Sequence, residues 1–264
     1  MSDTQPKKKR PAMEVRGVTF AYGKNEVLRD ISLKIAEGKI TTVIGANGCG
    51  KSTLFSLMTK NLYPKSGQIF LRSRNINNLN LKEFAQKAAI VHQYNTVSDD
   101  ITVEQLVSFG RTPHKKMMAA SGEEDERCIE WAMEVTNVTK YRHREVARLS
   151  GGQKQRVWIA MALAQNTGIL FLDEPTTYLD VRYQLEILRL IRRLNQEFCI
   201  TIIMVLHDIN QSLYYSDEIV AMKDGKTIAQ GKPEEVITTE LVKKVYGVDL
   251  NIQQIDGKPF VIPV

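Results

Sequence analysis

Lys39-Ile-Thr-Thr-Val-Ile44, Gly45-Ala-Asn-Gly-Cys-Gly-Lys-Ser52 and Thr53-Leu-Phe-Ser-Leu-Met58 follow one another without a break in this chain of 264 residues. The first piece is a short β-branched and apolar run of the kind that forms a buried strand. The second fits G-x-x-x-x-G-K-[ST], and the apolar third continues it as a helix. In that context Gly45, Gly48 and Gly50 let backbone N–H groups curl around the β- and γ-phosphates of a nucleotide. Lys51 supplies a point charge to the same phosphates, and the Ser52 hydroxyl can ligate Mg²⁺. Asn47, Cys49 and Thr53 complete the candidate nucleotide-binding set. Cys49 sits beside a helix N-terminus and Lys51, a setting that predicts a lowered thiol pKa and a reactive sulfur.

Outward from the loop, Met13 to Phe20 and Glu26 to Ile35 read as two strands joined by a turn at 22–25. A stretch at about 82–166 is mostly helical in pattern, in pieces at 81–88, 102–109 and 123–135, with a loop at 111–122. A further helix continues from about 152 to 166. Strands return at 168–172, 200–206 and 217–222, with a helix at 181–197 between the first two. This alternation predicts an α/β fold with a mainly parallel sheet.

Two more segments carry chemistry. Ile169-Leu-Phe-Leu-Asp173-Glu174 sets two acids at the end of an apolar strand, where the first can hold Mg²⁺ and the second can polarise a water. Leu149-Ser-Gly-Gly-Gln153 opens a helix, so that Ser150, Gly151, Gly152 and Gln153 combine a hydroxyl, glycine N–H groups and a helix N-terminus into a second anion site.

Composition narrows the class. With 43% hydrophobic and 25% charged residues the chain is an ordinary globular protein. Its apolar runs are far short of the ~20 residues that a spanning helix needs. No signal peptide is expected, and a cytoplasmic location follows. Cys49, Cys128 and Cys199 are widely separated and read as free thiols. Half of the net charge of +6 lies in residues 1–10, which carry four bases against one acid and read as a solvated tail.

Phosphate loop, L-S-G-G-Q segment and acidic pair, in this order, resemble an ATP-binding cassette ATPase, the motor subunit of ABC transporters, over about residues 13–247. The resemblance implies a P-loop NTPase core, an N-terminal antiparallel β-subdomain and a helical subdomain inserted at about 84–165. The expected boundaries are a basic tail at 1–12, the ATPase domain at 13–250 and a strand-rich tail at 251–264. It further implies that Tyr22 stacks on adenine and that Gln93 senses Mg²⁺ and the γ-phosphate. Asp180, with Leu179, would contact the opposite subunit, and His207 would contact the γ-phosphate. Glu174, His207, Lys51 and Gln93 are then the catalytic set, and Ser52, Gln93 and Asp173 the metal set.

The segments 100–114, 158–161, 174–180 and 205–211 resemble more narrowly the ATPase subunits of bacterial iron(III)-siderophore importers, with haem and cobalamin importers as relatives. Tyr178 is in keeping with that subgroup. The resemblance implies ATP and Mg²⁺ as cofactors and a homodimer on the cytoplasmic face of the cell membrane. Permease subunits and, through them, an extracytoplasmic substrate-binding protein are the implied partners, with no nucleic acid. A soluble cassette ATPase acting on ribosomes or nucleic acid and a small-molecule P-loop kinase are the alternatives. The tail favours the first, and the second anion site would have no purpose in the other.

Overall fold

A computed structural model describes residues 10–115, 122–255 and 258–262. The chain opens with β1 (Met13–Tyr22), β2 (Asn25–Ile35), β3 (Ile40–Gly45), α1 (Lys51–Met58), β4 (Ser66–Leu71), β5 (Arg74–Asn75), α2 (Leu81–Ala85) and β6 (Ala89–Val91). Helices α3 (Val103–Phe109), α4 (Glu123–Val135) and α5 (Gly151–Ala164) follow. The remainder is β7 (Ile169–Asp173), α6 (Val181–Phe198), β8 (Thr201–Val205), α7 (Ile209–Tyr215), β9 (Glu218–Lys223), β10 (Lys226–Gly231), α8 (Pro233–Val236), α9 (Thr239–Tyr246), β11 (Asn251–Ile255) and β12 (Lys258–Ile262).

Six strands form the main sheet in the order β10-β9-β3-β8-β7-β6, parallel throughout except for β10. A second, antiparallel sheet has the order β2-β1-β4-β5. The inner strands of the main sheet are buried on both faces, which is why their sequences are continuous apolar runs. Leu170, Leu172, Ile202 and Met204 pack on one face with α3 to α6. Ile169, Phe171, Ile203 and Val205 point the other way, toward α1 and the antiparallel sheet. Phe55 of α1 meets Phe171 edge-to-face at 5.7 Å.

Residues 89–91 fall within the stretch expected as a helical insertion, yet they form β6 and pair with β7 in the main sheet. Three residues are too short to show a period, and the Ala-Ile-Val run has no turn chemistry in front of it. The helical part proper therefore runs from α3 through α5. Residues 1–9 of the basic tail and 116–121 of the expected loop lie outside the described residues.

Arg111 holds the helical part together. Its side chain, 3% exposed, donates from Nε to Asp125 Oδ1 at 2.7 Å and from Nη1 to the Ala164 carbonyl at 2.9 Å. One guanidinium thus pairs with the acidic first turn of α4 and satisfies a carbonyl at the C-terminal end of α5. That hydrogen bond and charge hold the Asp125 carboxyl below the usual carboxylate range. Arg111→Met removes the guanidinium from both partners and is expected to lower the unfolding free energy by about 3 kcal/mol in urea titrations. A depressed carboxyl stabilises above its unfolded pKa and ceases to do so as pH falls through the folded one, so the gap to wild type should narrow in acid. A gap that stays constant down to pH 2 would reject the pairing as its source.

Candidate functional site

Parallel strands bring their carboxyl ends to one edge of a sheet. Here that edge gathers the loop after β3, Gln93 after β6, Asp173 and Glu174 at the end of β7, and His207 after β8. Residues up to 162 positions apart in sequence, from Gly45 to His207, thus converge without any local sequence rule linking them.

The loop after β3 wraps the start of α1. Gly50 caps the helix with φ 104°, and a Cβ there would lie 2.6 Å from Leu28 Cδ2, so only glycine fits. Lys51, 5% exposed, folds back and donates from Nζ to the carbonyls of Gly45 at 2.8 Å and Ala46 at 3.0 Å. An ammonium has three donors, so one remains for an anion in the loop. The opening N–H groups of α1 have no acceptor within the helix and add to the same positive field. Asn47, Gly48 and Ser52 are exposed, whereas Thr53 is buried in the helix.

Cys49 corrects an expectation. The thiol is 5% exposed, and burial pushes its pKa up more than the Lys51 charge lowers it. Its Sγ fills the space beside Gly45, 2.6 Å from where a Cβ would stand. Iodoacetamide should therefore modify the exposed Cys199 and spare Cys49 until the chain unfolds, as read by peptide mapping with and without urea. Early labelling of Cys49 in the folded protein would refute this.

The adjacent acids have opposite surroundings. Asp173 Oδ1 is buried with no hydrogen-bond partner, and desolvation, then the charge of Glu174, pushes the Asp173 carboxyl up to about 6 despite His207 and Lys51. An orphaned carboxylate oxygen suits a hard cation such as Mg²⁺. Among the described residues no three acids, histidines or cysteines converge as a cage. That fits a metal whose other ligands are phosphate oxygens and water. Glu174 is held instead by neighbours. Its Oε2 accepts from Gln93 Nε2 at 2.6 Å and Thr177 Oγ1 at 3.0 Å, and its Oε1 lies 2.5 Å from His207 Nε2. Its backbone is left-handed, φ 50°, a strained conformation of the kind found at functional sites. A carboxylate fixed in this way can accept a proton from a water beside a phosphate.

Other candidates are dispersed. Tyr22 is 53% exposed at the end of β1, with its ring against Phe20. Ser150 caps α5, with Gln153 Oε1 accepting from its N–H at 3.0 Å, and Gln153 Nε2 donates to Tyr141. Among the described residues no hydrogen bond or ion pair joins 150–153 to 45–52. Gly152 is buried because a Cβ would strike the Tyr183 ring at 2.6 Å, bringing α5 hard against α6, while Gly151 stays exposed. Asp180 caps α6 by accepting from Tyr183 N at 3.0 Å. Thr177 and Tyr94 were not singled out from sequence. Only their neighbours, Glu174 and Gln93, pointed toward them.

A raised carboxyl gives stability that is full below its unfolded pKa and lost as pH rises through the folded one. For Asp173 that window is about pH 4 to 6. Asp173→Asn should therefore raise the unfolding free energy of the nucleotide-free protein at pH 7.5 by about 1–2 kcal/mol after solvent screening, with no gain at pH 4. Equal stability of the two proteins at pH 7.5 would contradict the burial of an unpaired charge.

The chain is similar to known proteins along most of its length. The family model described as ABC transporter matches residues 28–177. The chain is 42% identical to the petrobactin import ATP-binding protein FpuC of Bacillus anthracis, over 95% of this chain and 92% of that one. It is 45% identical to the iron(3+)-hydroxamate import ATP-binding protein FhuC of Bacillus subtilis strain 168, over 88% and 87% of the two chains. Among solved structures, cbiO1 of Clostridium perfringens, part of the ABC transporter complex cbiONQ, has a TM-score of 0.79 at 32% identity, covering 89% of this chain and 94% of that one. A bacterial ABC transporter cassette solved as a dimer has a TM-score of 0.72 at 29% identity, covering 84% and 98%. The chain therefore belongs to the ABC transporter family, as one of its ATP-binding, ATP-hydrolysing cassettes.

Proposed function

We propose that this chain is the motor subunit of a bacterial importer, coupling ATP binding and hydrolysis to uptake of an iron(III)-siderophore. What carries the reading is identity of 42–45% along most of the chain with two subunits named for petrobactin and iron(3+)-hydroxamate import. Haem and cobalamin are the alternative cargoes of the same subgroup, and those names favour the siderophore. The ribosome or nucleic-acid alternative rests only on the basic tail, most of which lies outside the described residues.

In this reading the backbone of Gly45 to Ser52 and the Lys51 ammonium hold the phosphates, and Tyr22 stacks on adenine. Ser52, Asp173 and Gln93 would hold Mg²⁺, which when bound would neutralise charge on the phosphate oxygens. Glu174 takes the proton of the attacking water while Gln93, Thr177 and His207 keep its carboxylate aimed. A related ABC transporter cassette solved as a dimer supports a homodimer. Each ATP would then lie between Lys51 of one protomer and Ser150 of the partner subunit, with Asp180 at the seam. Closure on ATP and opening after hydrolysis form a two-state stroke.

No helix among the described residues is long and apolar enough to cross a membrane. Separate permease subunits would dock on the helical part near the segment starting at Gln93, on the cytoplasmic face, and a substrate-binding protein would act through them from outside. Its far end at Met118 lies outside the described residues. A scarce substrate needs tight capture, and the stroke releases it at ~1.4 kcal/mol per tenfold loss of affinity.

Glu174→Gln should cut phosphate release by at least about a hundredfold while ATP binding persists, and ATP should shift the protein to a dimer on size exclusion. Cells carrying it should lose uptake of radiolabelled iron supplied as a siderophore but keep sugar and amino-acid uptake. Near-normal turnover would reject Glu174 as the base. Intact iron uptake with loss of another solute would reject the cargo and leave the ATPase standing.

A further inference from the structure

The loops after β6 and β7 are joined twice. Deep in the site Gln93 Nε2 donates to Glu174, and three residues' reach outward the hydroxyls of Tyr94 and Tyr178 share a hydrogen bond of 2.7 Å, with ring centroids 6.0 Å apart. Both tyrosines are largely exposed, at 69% and 78%. In water a hydroxyl has abundant alternative partners, so such a bond adds little to global stability. Its geometry is nonetheless specific, because Tyr178, like Glu174, has a left-handed backbone, φ 63°. Two such residues four positions apart flank a turn in which the Thr177 N–H donates to the Glu174 carbonyl at 3.2 Å.

We propose that Tyr94 and Tyr178 form a positioning latch that keeps the loop bearing Gln93 registered on the loop bearing Glu174, and so sets the aim of the Glu174 carboxylate. This rests on the reading of Glu174 as the base. Tyr94 follows Gln93 directly, and its peptide fixes the start of that side chain. Tyr178 precedes Leu179 and Asp180, and Asp180 caps α6. A push on 178–180 from a second subunit therefore reaches Gln93 through one phenol pair, and reaches Glu174 through Gln93. Neither tyrosine touches phosphate or the attacking water in this scheme, and both are positioning residues.

Removing one hydroxyl removes the whole bond, which gives the test its form. Tyr94→Phe and Tyr178→Phe in the full chain should each lower kcat about three- to tenfold, the worth of one hydrogen bond, with KM for ATP within twofold. The double variant should be no slower than either single one. Multiplying effects, or a loss confined to KM, would overturn the latch. A second readout needs no turnover. With 3-fluorotyrosine incorporated, the ¹⁹F resonance of Tyr94 should move on Tyr178→Phe, and that of Tyr178 on Tyr94→Phe. Unmoved resonances overturn the pairing itself. A wild-type chain that binds but never hydrolyses ATP, with both resonances moving, would defeat the reading of Glu174 and leave the contact intact. Unmoved kcat in both variants beside an active wild type would defeat the latch alone.

Discussion

Four strands running in the same direction, β3, β8, β7 and β6, impose the arrangement on which the rest depends. Their register pairs Val43 with Val205, Asp173 with Val205 and Val91 with Leu172, so the strands end nearly level. Each strand is followed by a turn that can only leave from that edge. Phosphate loop, acids, glutamine and histidine are therefore neighbours as a consequence of pairing geometry, and the two-faced apolar core fixes the pairing because a slip of one residue would exchange the faces. Ile169 and Phe171 would then meet the helices, and Leu170 and Leu172 the antiparallel sheet.

At that edge the chain solves an electrostatic problem with two consecutive carboxylates. Successive residues of a strand point to opposite sides. Asp173 is turned into the protein, where it lacks a donor and titrates high. Glu174, just past the strand, escapes the alternation by taking a left-handed backbone and collects three neighbours instead. Environments that separate two acids in this way assign them different work. One is suited to a cation and the other to a proton.

Much of this was legible in the residues. The strand, loop and helix at 39–58 declare themselves because each has a distinct local signal, and α4 at 123–135 declares itself by its acidic start and helical period. The short strands were not legible. β6 has three residues and β5 two, too few to show a period, and their pairing depends on partners far along the chain. The C-terminal hairpin β11–β12 alternates weakly and takes its place through Asn210, whose side chain exchanges two hydrogen bonds with the backbone of Val261. In the site, Cys49 misled because proximity to a cation is visible in sequence whereas burial is not. Thr177 and Tyr94 escaped notice because a side chain that supports another has no motif of its own.

The order of strands also governs when the protein can exist. β3 lies between β8 and β9, whose residues begin at 201 and 218. While a ribosome adds the intervening stretch, at roughly 5–20 residues per second, β3 waits for its neighbours for on the order of ten to thirty seconds. The antiparallel sheet, made entirely from residues before 76, needs no such delay. The nascent chain thus carries a paired antiparallel sheet, its core still uncovered, beside a hydrophobic ribbon with both edges bare, the condition under which strands pair with strangers. Synthesis of this cassette is most exposed to aggregation in its middle third, and a chain truncated before Thr201 has a phosphate loop in sequence but neither neighbour for the strand that carries it.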